Sequence, residues 1–133
     1  MRSLLLLCFC VLSFAFADKL QAADAPRITG VYSDMEFNFE SGDVVGVEVV
    51  LVFSRKGYFV IFQNAEGSPS VPVVVPARVE AGQIQFDVPF GENVSVFNGS
   101  ISREVIVGEF SGGVLSKEGR SLFVLPKKLS YWQ

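Results

Sequence analysis

The chain has 133 residues, of which half are hydrophobic, a formal net charge of −3 and no histidine. This length fits one domain built around one core. The missing histidine argues against a Ser-His-Asp triad, a Cys-His pair and a typical zinc site. The mild acidity argues against a nucleic-acid partner, which requires a basic surface, and against electrostatic attachment to anionic lipid.

Residues 1–17 have the pattern of a secretory signal peptide. Arg2 is followed by an apolar run, residues 4–16, in which Ser13 is the single polar residue. Ala15-Phe16-Ala17 supplies the small-x-small cleavage pattern. The run is shorter than the roughly 20 residues that span a bilayer as a helix. We therefore predict cleavage after Ala17, export to a periplasm or the extracellular space, and no stable membrane insertion.

Both cysteines, Cys8 and Cys10, lie inside this segment, so the predicted mature chain of 116 residues contains no disulfide. It would depend on its apolar core, which draws on ten of the thirteen phenylalanines. Residues 18–26 are polar and alanine-rich and predict a flexible lead-in. Residues 27–133 then form a single β domain, for which we expect no cofactor, no metal site and no catalysis.

Val, Phe, Ile and Tyr dominate this domain and turn signals recur at short intervals, which is typical of an all-β fold. The first predicted strand covers residues 27–34. The second, 35–40, alternates Met35, Phe37 and Phe39 with polar residues and predicts a half-buried strand. Strands 44–54 and 58–64 flank the turn Arg55-Lys56-Gly57 and are apolar on both faces.

The rest of the domain is predicted to form short hairpins. Residues 65–72 predict a loop, and Pro72 and Pro76 mark the extended segment 71–75 as an edge or a bulge. The remaining predicted strands are 77–80, 83–88, 94–102, 105–110 and 122–125. Together these elements predict an all-β domain, a single antiparallel meander of about eight strands forming a small barrel or barrel-like sandwich. Phe97-x-Gly99-x-Ile101 and Ile106-x-Gly108-x-Phe110 would let two strands bend at barrel corners.

Several segments resemble known β-barrel families. Gly30-Val31-Tyr32 is similar to the opening Gly-x-Trp of the lipocalins, and the Gly-x-Phe strands and the Leu-rich last strand resemble small exported bacterial β-barrel proteins without an assigned function. The resemblance implies the architecture alone. The chain is shorter than a lipocalin, has Tyr32 in place of Trp and has no C-terminal helix, so no lipocalin ligand site carries over.

The candidate binding residues are Glu48, Tyr58, Phe62, Tyr131 and Trp132. Glu48 interrupts an apolar strand, and a carboxylate in apolar surroundings can act as a general acid. The alternative is that Glu48 lies on a solvated face, or at a barrel mouth beside Arg or Lys. Tyr131 and Trp132 either anchor a partner or fold back to plug one end of the barrel.

Two kinds of partner remain open. The two-faced apolar hairpin, residues 44–62, favours an exported, non-catalytic binding module that holds a small hydrophobic ligand. The alternative is a protein-interaction or inhibitor module that acts through loops, such as residues 64–72, or through the aromatic tail. A carboxylate enzyme would depend on Glu48 alone. The ligand, the protein partner and the oligomeric state are not specified by these patterns.

Overall fold

A computed structural model of the chain describes residues 28–115 and 122–132; the predicted signal peptide and lead-in lie outside the described residues. The protein is an antiparallel β meander, as the sequence predicts. Its strands are β1 (Gly30–Ser33), β2 (Glu36–Asn38), β3 (Asp43–Ser54), β4 (Gly57–Pro69), β5 (Val73–Glu80), β6 (Gln83–Phe90), β7 (Asn93–Ile101), β8 (Val105–Ser111) and β9 (Phe123–Pro126). The strand order is β1-β3-β4-β5-β6-β7-β8-β9, and β2 also pairs with β3.

The two ends of this sheet meet and nearly close a barrel. An isolated antiparallel bridge joins Tyr32 to Lys127, directly after β9. The Lys128 amide donates to the Val31 carbonyl at 3.0 Å, and the Lys127 amide donates to the Glu104 carbonyl at 2.7 Å. Closure of this kind removes the exposed edges that a flat meander would leave open to aggregation.

The inward positions of the strands form one apolar core. In β6, Ile84, Phe86 and Val88 are buried while Gln85 and Asp87 are exposed, as the alternation predicts. The centre of the core is aromatic, and its ring centroids lie 4.8–6.3 Å apart in stacked, tilted and edge-on pairs. Such pairs stabilise a core beyond the apolar area they bury. The rings belong to Phe62, Phe86, Phe97, Phe110 and Phe123.

Two glycines let β7 and β8 pack under one of these rings. Gly99 and Gly108 are cross-strand partners. A Cβ at Gly108 would lie 2.6 Å from Cζ of Phe97 and 2.7 Å from Cα of Gly99, and would also meet the Asn98 carbonyl oxygen. The two positions therefore lack side chains because the Phe97 ring and the opposite backbone occupy that space.

The second predicted strand is wrong in both extent and burial. β2 contains three residues, and all three are exposed. Met35 is buried as predicted, but Phe37 is 42% exposed and Phe39 is 90% exposed. Since β2 pairs with the far end of β3, it lies beside the core and not over it. Both phenylalanines therefore remain on the surface, with ring centroids 5.0 Å apart.

The predicted loop 65–72 is also largely wrong, because β4 continues to Pro69. Ala65, Glu66 and Gly67 pair with the first residues of the long strand β3. Segments 71–75 and 77–80 are mostly one strand, β5, which runs through Pro76. β5 pairs with β4 over residues 73–77 and with β6 over residues 77–80. Pro76 lies in the part of β5 that does not yet pair with β6. Only this part of the strand has the predicted edge character, and proline is tolerated at such an edge.

Tyr32 connects β1 to the turn between β7 and β8. Its buried hydroxyl lies 2.6 Å from the Ile28 carbonyl oxygen and 2.9 Å from that of Ser102. Nζ of Lys127 lies 5.5 Å from the centroid of its ring. Burial, assisted by the negative charge of Glu104, raises the pKa of Tyr32 from 10.0 to about 12. The folded protein therefore favours the neutral phenol.

This shift predicts a loss of stability in alkali. Above pH 10 the phenol of the unfolded chain ionises while the folded protein keeps its proton, so the free energy of unfolding falls as pH rises towards about 12. Urea unfolding at a series of pH values measures this fall. Tyr32→Phe has no phenol to titrate at this position and should lose less stability over the same range. Equal pH dependence in the two proteins would contradict the assignment.

Candidate functional site

Glu48 lies on the outer face of the sheet, in the middle of the β3–β4 hairpin. Its neighbours Val47 and Val49 point into the core, so Glu48 points outward with Val50. Ser33 of β1 and Gln63 of β4 are its cross-strand partners on either side. Although it is on the outer face, Glu48 is only 4% exposed.

The C-terminal tail, residues 128–132, covers this carboxylate. The Ser130 hydroxyl donates to Oε1 of Glu48 at 2.7 Å, and the Tyr131 amide donates to Oε2 at 2.8 Å. Within the described part of the chain the recorded partners of Glu48 are these neutral donors, and neither Arg nor Lys is among them. Because Glu48 is 4% exposed, the solvated-face interpretation is wrong. Hydrogen bonds to a buried carboxylate are about twice as strong as neutral ones, so Glu48 fixes the tail on the sheet.

The tail aromatics lie on the side of the barrel, and the predicted plug at its end is not found. The indole Nε1 of Trp132 donates to Oε1 of Gln63 at 3.0 Å. The rings of Tyr131 and Trp132 meet edge-on, with centroids 5.0 Å apart. Trp132 nevertheless remains 59% exposed. Its indole is therefore oriented by Gln63 while much of its surface is free for contact.

A groove of about 410 Å³ lies between the tail and the sheet. Its apolar wall combines Val50 of β3, Ile61 of β4 and Pro72, and Trp132 borders it. Polar groups lie on one side, contributed by Glu48, Gln63 and Ser130. An apolar wall with a few fixed polar groups is the usual character of a small-molecule site.

The groove continues into an apolar outer face. Val50, Ile61 and Val74 form one cross-strand row on β3, β4 and β5, and Val52, Phe59 and Pro76 form the next. Val74 is 67% exposed and Val52 is 39% exposed. This surface is the outward half of the hairpin that the sequence shows to be apolar on both faces. Contiguous apolar surfaces of this kind often mark binding sites.

The five predicted site residues separate into two groups. Glu48, Tyr131 and Trp132 lie together on the outer face. Phe62 lies in the aromatic core, and Tyr58 packs against that core on the same inner face. The groove beside Glu48 therefore lies outside the barrel, on the face of the sheet opposite Phe62 and Tyr58.

Sequence reasoning did not identify Ser130, Gln63, Ile61 and Pro72 as members of this site. The strand register that places Gln63 beside Glu48 follows from the length of the hairpin, and alternation alone could have placed Ile61 on the outer face with Val50. No sequence signal indicates that the tail returns to β3.

The polar side chains of the groove are engaged in hydrogen bonds between the sheet and the tail. In residues 28–115 and 122–132, no group of three or more His, Cys, Asp or Glu side chains is placed to hold a metal ion. Both oxygens of Glu48 already accept hydrogen bonds from the tail. What the site provides is an apolar surface and an indole held in a fixed orientation.

No protein-family model, curated protein or solved structure matches the chain. Of the helices in the described ranges, none is long and apolar enough to cross a membrane.

Proposed function

We propose that the protein is an exported, non-catalytic binding module whose outer groove holds a small apolar ligand. The observation that carries this proposal is the groove of about 410 Å³ between the tail and the β3–β4 hairpin. Its volume falls in the range of drug-sized ligand sites. Export is supported by the signal-peptide pattern of residues 1–17.

The wall of the groove defines the class of ligand. Val50, Ile61 and Pro72 offer contact without hydrogen bonding, and the exposed indole of Trp132 can lie against a flat or extended hydrocarbon. Glu48 is already paired and would repel an anionic group placed beside it. A neutral apolar molecule therefore fits better than an anionic one.

The single tryptophan makes the test direct, because Trp132 is the only source of indole emission. The mature protein is titrated with the neutral fluorophore N-phenyl-1-naphthylamine. We expect saturable binding, with quenching of Trp132 and energy transfer to the probe. Ile61→Ser should raise the Kd about tenfold, as expected for losing one aliphatic contact.

Val94→Ser is the matched control, because Val94 is 48% exposed on β7, away from the groove. It should leave the Kd unchanged. Equal affinities for Ile61→Ser and the unchanged protein would contradict the proposed site, as would a linear titration without saturation.

A protein-interaction module is the second candidate function, favoured by the exposure of the tail aromatics. Trp132 offers a fixed aromatic anchor of the kind that dominates protein interfaces. Deleting residues 131–133 should then weaken capture of a protein partner while the thermal unfolding midpoint of the domain stays nearly constant. Undiminished capture after the deletion would exclude the tail as the anchor.

A further inference from the structure

The fold separates the charged residues between the two ends of the barrel. In an antiparallel meander, alternate turns lie at the same end of the sheet. The turns after β3, β5 and β7 share one end with the chain that leaves β9. Every Lys and Arg in residues 28–115 and 122–132 lies at or next to this end. We call these residues the basic rim: Arg55, Lys56, Arg78, Arg103, Lys127 and Lys128.

The described part of the opposite end is acidic. It includes the β2–β3 turn, the end of β4 and the β6–β7 turn. Its described charges are all carboxylates, from Glu36, Glu40, Asp43, Glu66 and Glu92. Two carboxylates, Glu80 and Glu104, lie at the same end as the six cations of the basic rim. Within the described residues, the cations and these carboxylates therefore lie at opposite ends of the barrel, so the mild net acidity of the chain does not describe the basic rim.

The cations of the basic rim are accessible. Arg55, Lys56, Arg103 and Lys128 are exposed. Arg78 makes an ion pair with Glu80 at 3.1 Å, but both side chains are largely exposed, so the pair is weak and open to competition. A surface with several accessible cations attracts anionic partners over a distance of about a Debye length.

Exposed apolar side chains adjoin these cations. Phe53, 56% exposed, lies just before the Arg55–Lys56 turn, and its ring is 4.8 Å from that of Tyr58. Leu129 follows Lys128 directly and is 75% exposed. Aromatic and aliphatic side chains beside Lys and Arg are typical of surfaces that bind at the lipid headgroup level. A soluble polyanion would use the cations but would have no use for Phe53 and Leu129.

We propose that the basic rim docks the protein on an anionic lipid surface. The cations would contact the headgroup phosphates, and Phe53 and Leu129 would enter the boundary between headgroups and acyl chains. The acidic end would face away from the membrane. Docking is peripheral and does not depend on the ligand of the outer groove.

Co-sedimentation with vesicles tests this inference on the mature protein. We expect binding to phosphatidylcholine vesicles that contain phosphatidylglycerol, and little binding to phosphatidylcholine alone. Arg55→Glu combined with Lys56→Glu should weaken binding at least about tenfold, because each cation near the surface contributes to it. Raising the salt concentration should release the unchanged protein.

Phe53→Ser and Leu129→Ser separate a lipid surface from a soluble polyanion, and both should weaken vesicle binding. Phe39→Ser is the matched control: this side chain is 90% exposed at the acidic end and should have no effect. Circular-dichroism melting shows whether each variant is folded, and two separate apolar variants keep the test valid if one unfolds.

Equal binding to both kinds of vesicle would overturn the proposal. It would also be overturned if both apolar variants bound like the unchanged protein while soluble heparin bound as tightly as the vesicles. The second result would assign the rim to a polyanion. Neither result bears on the probe titration of the outer groove.

Discussion

Gly108→Ala is expected to destabilise the domain by about 1–3 kcal/mol, the usual cost of overpacking a filled core. The added methyl group would lie 2.6 Å from the Phe97 ring and 2.7 Å from Cα of Gly99. Its backbone is not in the left-handed region, so the substitution should bring an entropic gain of about 0.4–1 kcal/mol. The steric cost is larger because backbone and a packed ring must both move.

Urea unfolding of Gly108→Ala and of Glu109→Ala measures this effect. Glu109 is the next residue of β8 and is exposed, so its substitution should change the free energy of unfolding by less than about 0.5 kcal/mol. Phe97→Leu is itself expected to destabilise the core, but in combination with Gly108→Ala the total loss should be smaller than the sum of the two single losses, because the smaller side chain relieves one of the three close contacts. A Gly108→Ala protein as stable as Glu109→Ala would contradict the packing of this site.

Glu48→Leu is expected to release the C-terminal tail. The change removes both acceptors that hold Ser130 and Tyr131. Hydrogen bonds to charged groups contribute about 1.5–3 kcal/mol each, so the population with a detached tail should rise at least about tenfold. Carboxypeptidase digests only the detached tail, and the rate at which it removes residues 131–133 reports that population.

Two further variants provide an intermediate case and a control for the digestion rate of Glu48→Leu. Glu48→Gln should digest at an intermediate rate, because its amide oxygen can accept from Tyr131 while its amide nitrogen donates to the Ser130 oxygen. Glu109→Leu removes an exposed carboxylate from β8 and should leave the rate unchanged. If Glu48→Leu digested no faster than Glu109→Leu, the tail would be held by something other than this carboxylate.

The outer groove depends on the same hydrogen bonds between Glu48 and the tail. With Glu48 intact, the tail forms one side of the groove, so Glu48→Leu should also weaken binding of the apolar probe. Phe53, Arg55 and Lys56 stay in the β3–β4 hairpin when the tail is released, but Lys128 and Leu129 move with the tail, so Glu48→Leu should also weaken vesicle binding in part. Ile61→Ser changes the groove and leaves the tail in place, so it is the variant that separates the two sites.

The sequence by itself determined the strand-rich fold and much of the core. Alternation fixed which side chains of β6 are buried, and the gap between the predicted strands 77–80 and 83–88 falls at the β5–β6 turn, where Ala81 and Gly82 have positive φ values of 50° and 74°. These features are local, because a strand exposes or buries alternate residues whatever its partners are. Local pattern also singled out Glu48 as an unusual residue.

Only the tertiary structure decided what each of these residues does. Phe37 and Phe39 have the alternation of core residues, yet the core does not extend to β2, so they are exposed. The hydrogen-bond partners of Glu48, Ser130 and Tyr131, lie 82 and 83 positions further along the chain. The cations of the basic rim come from four separate segments. Such groupings depend on strand order and register, which arise from packing across the whole sheet and leave no mark in any short stretch of sequence.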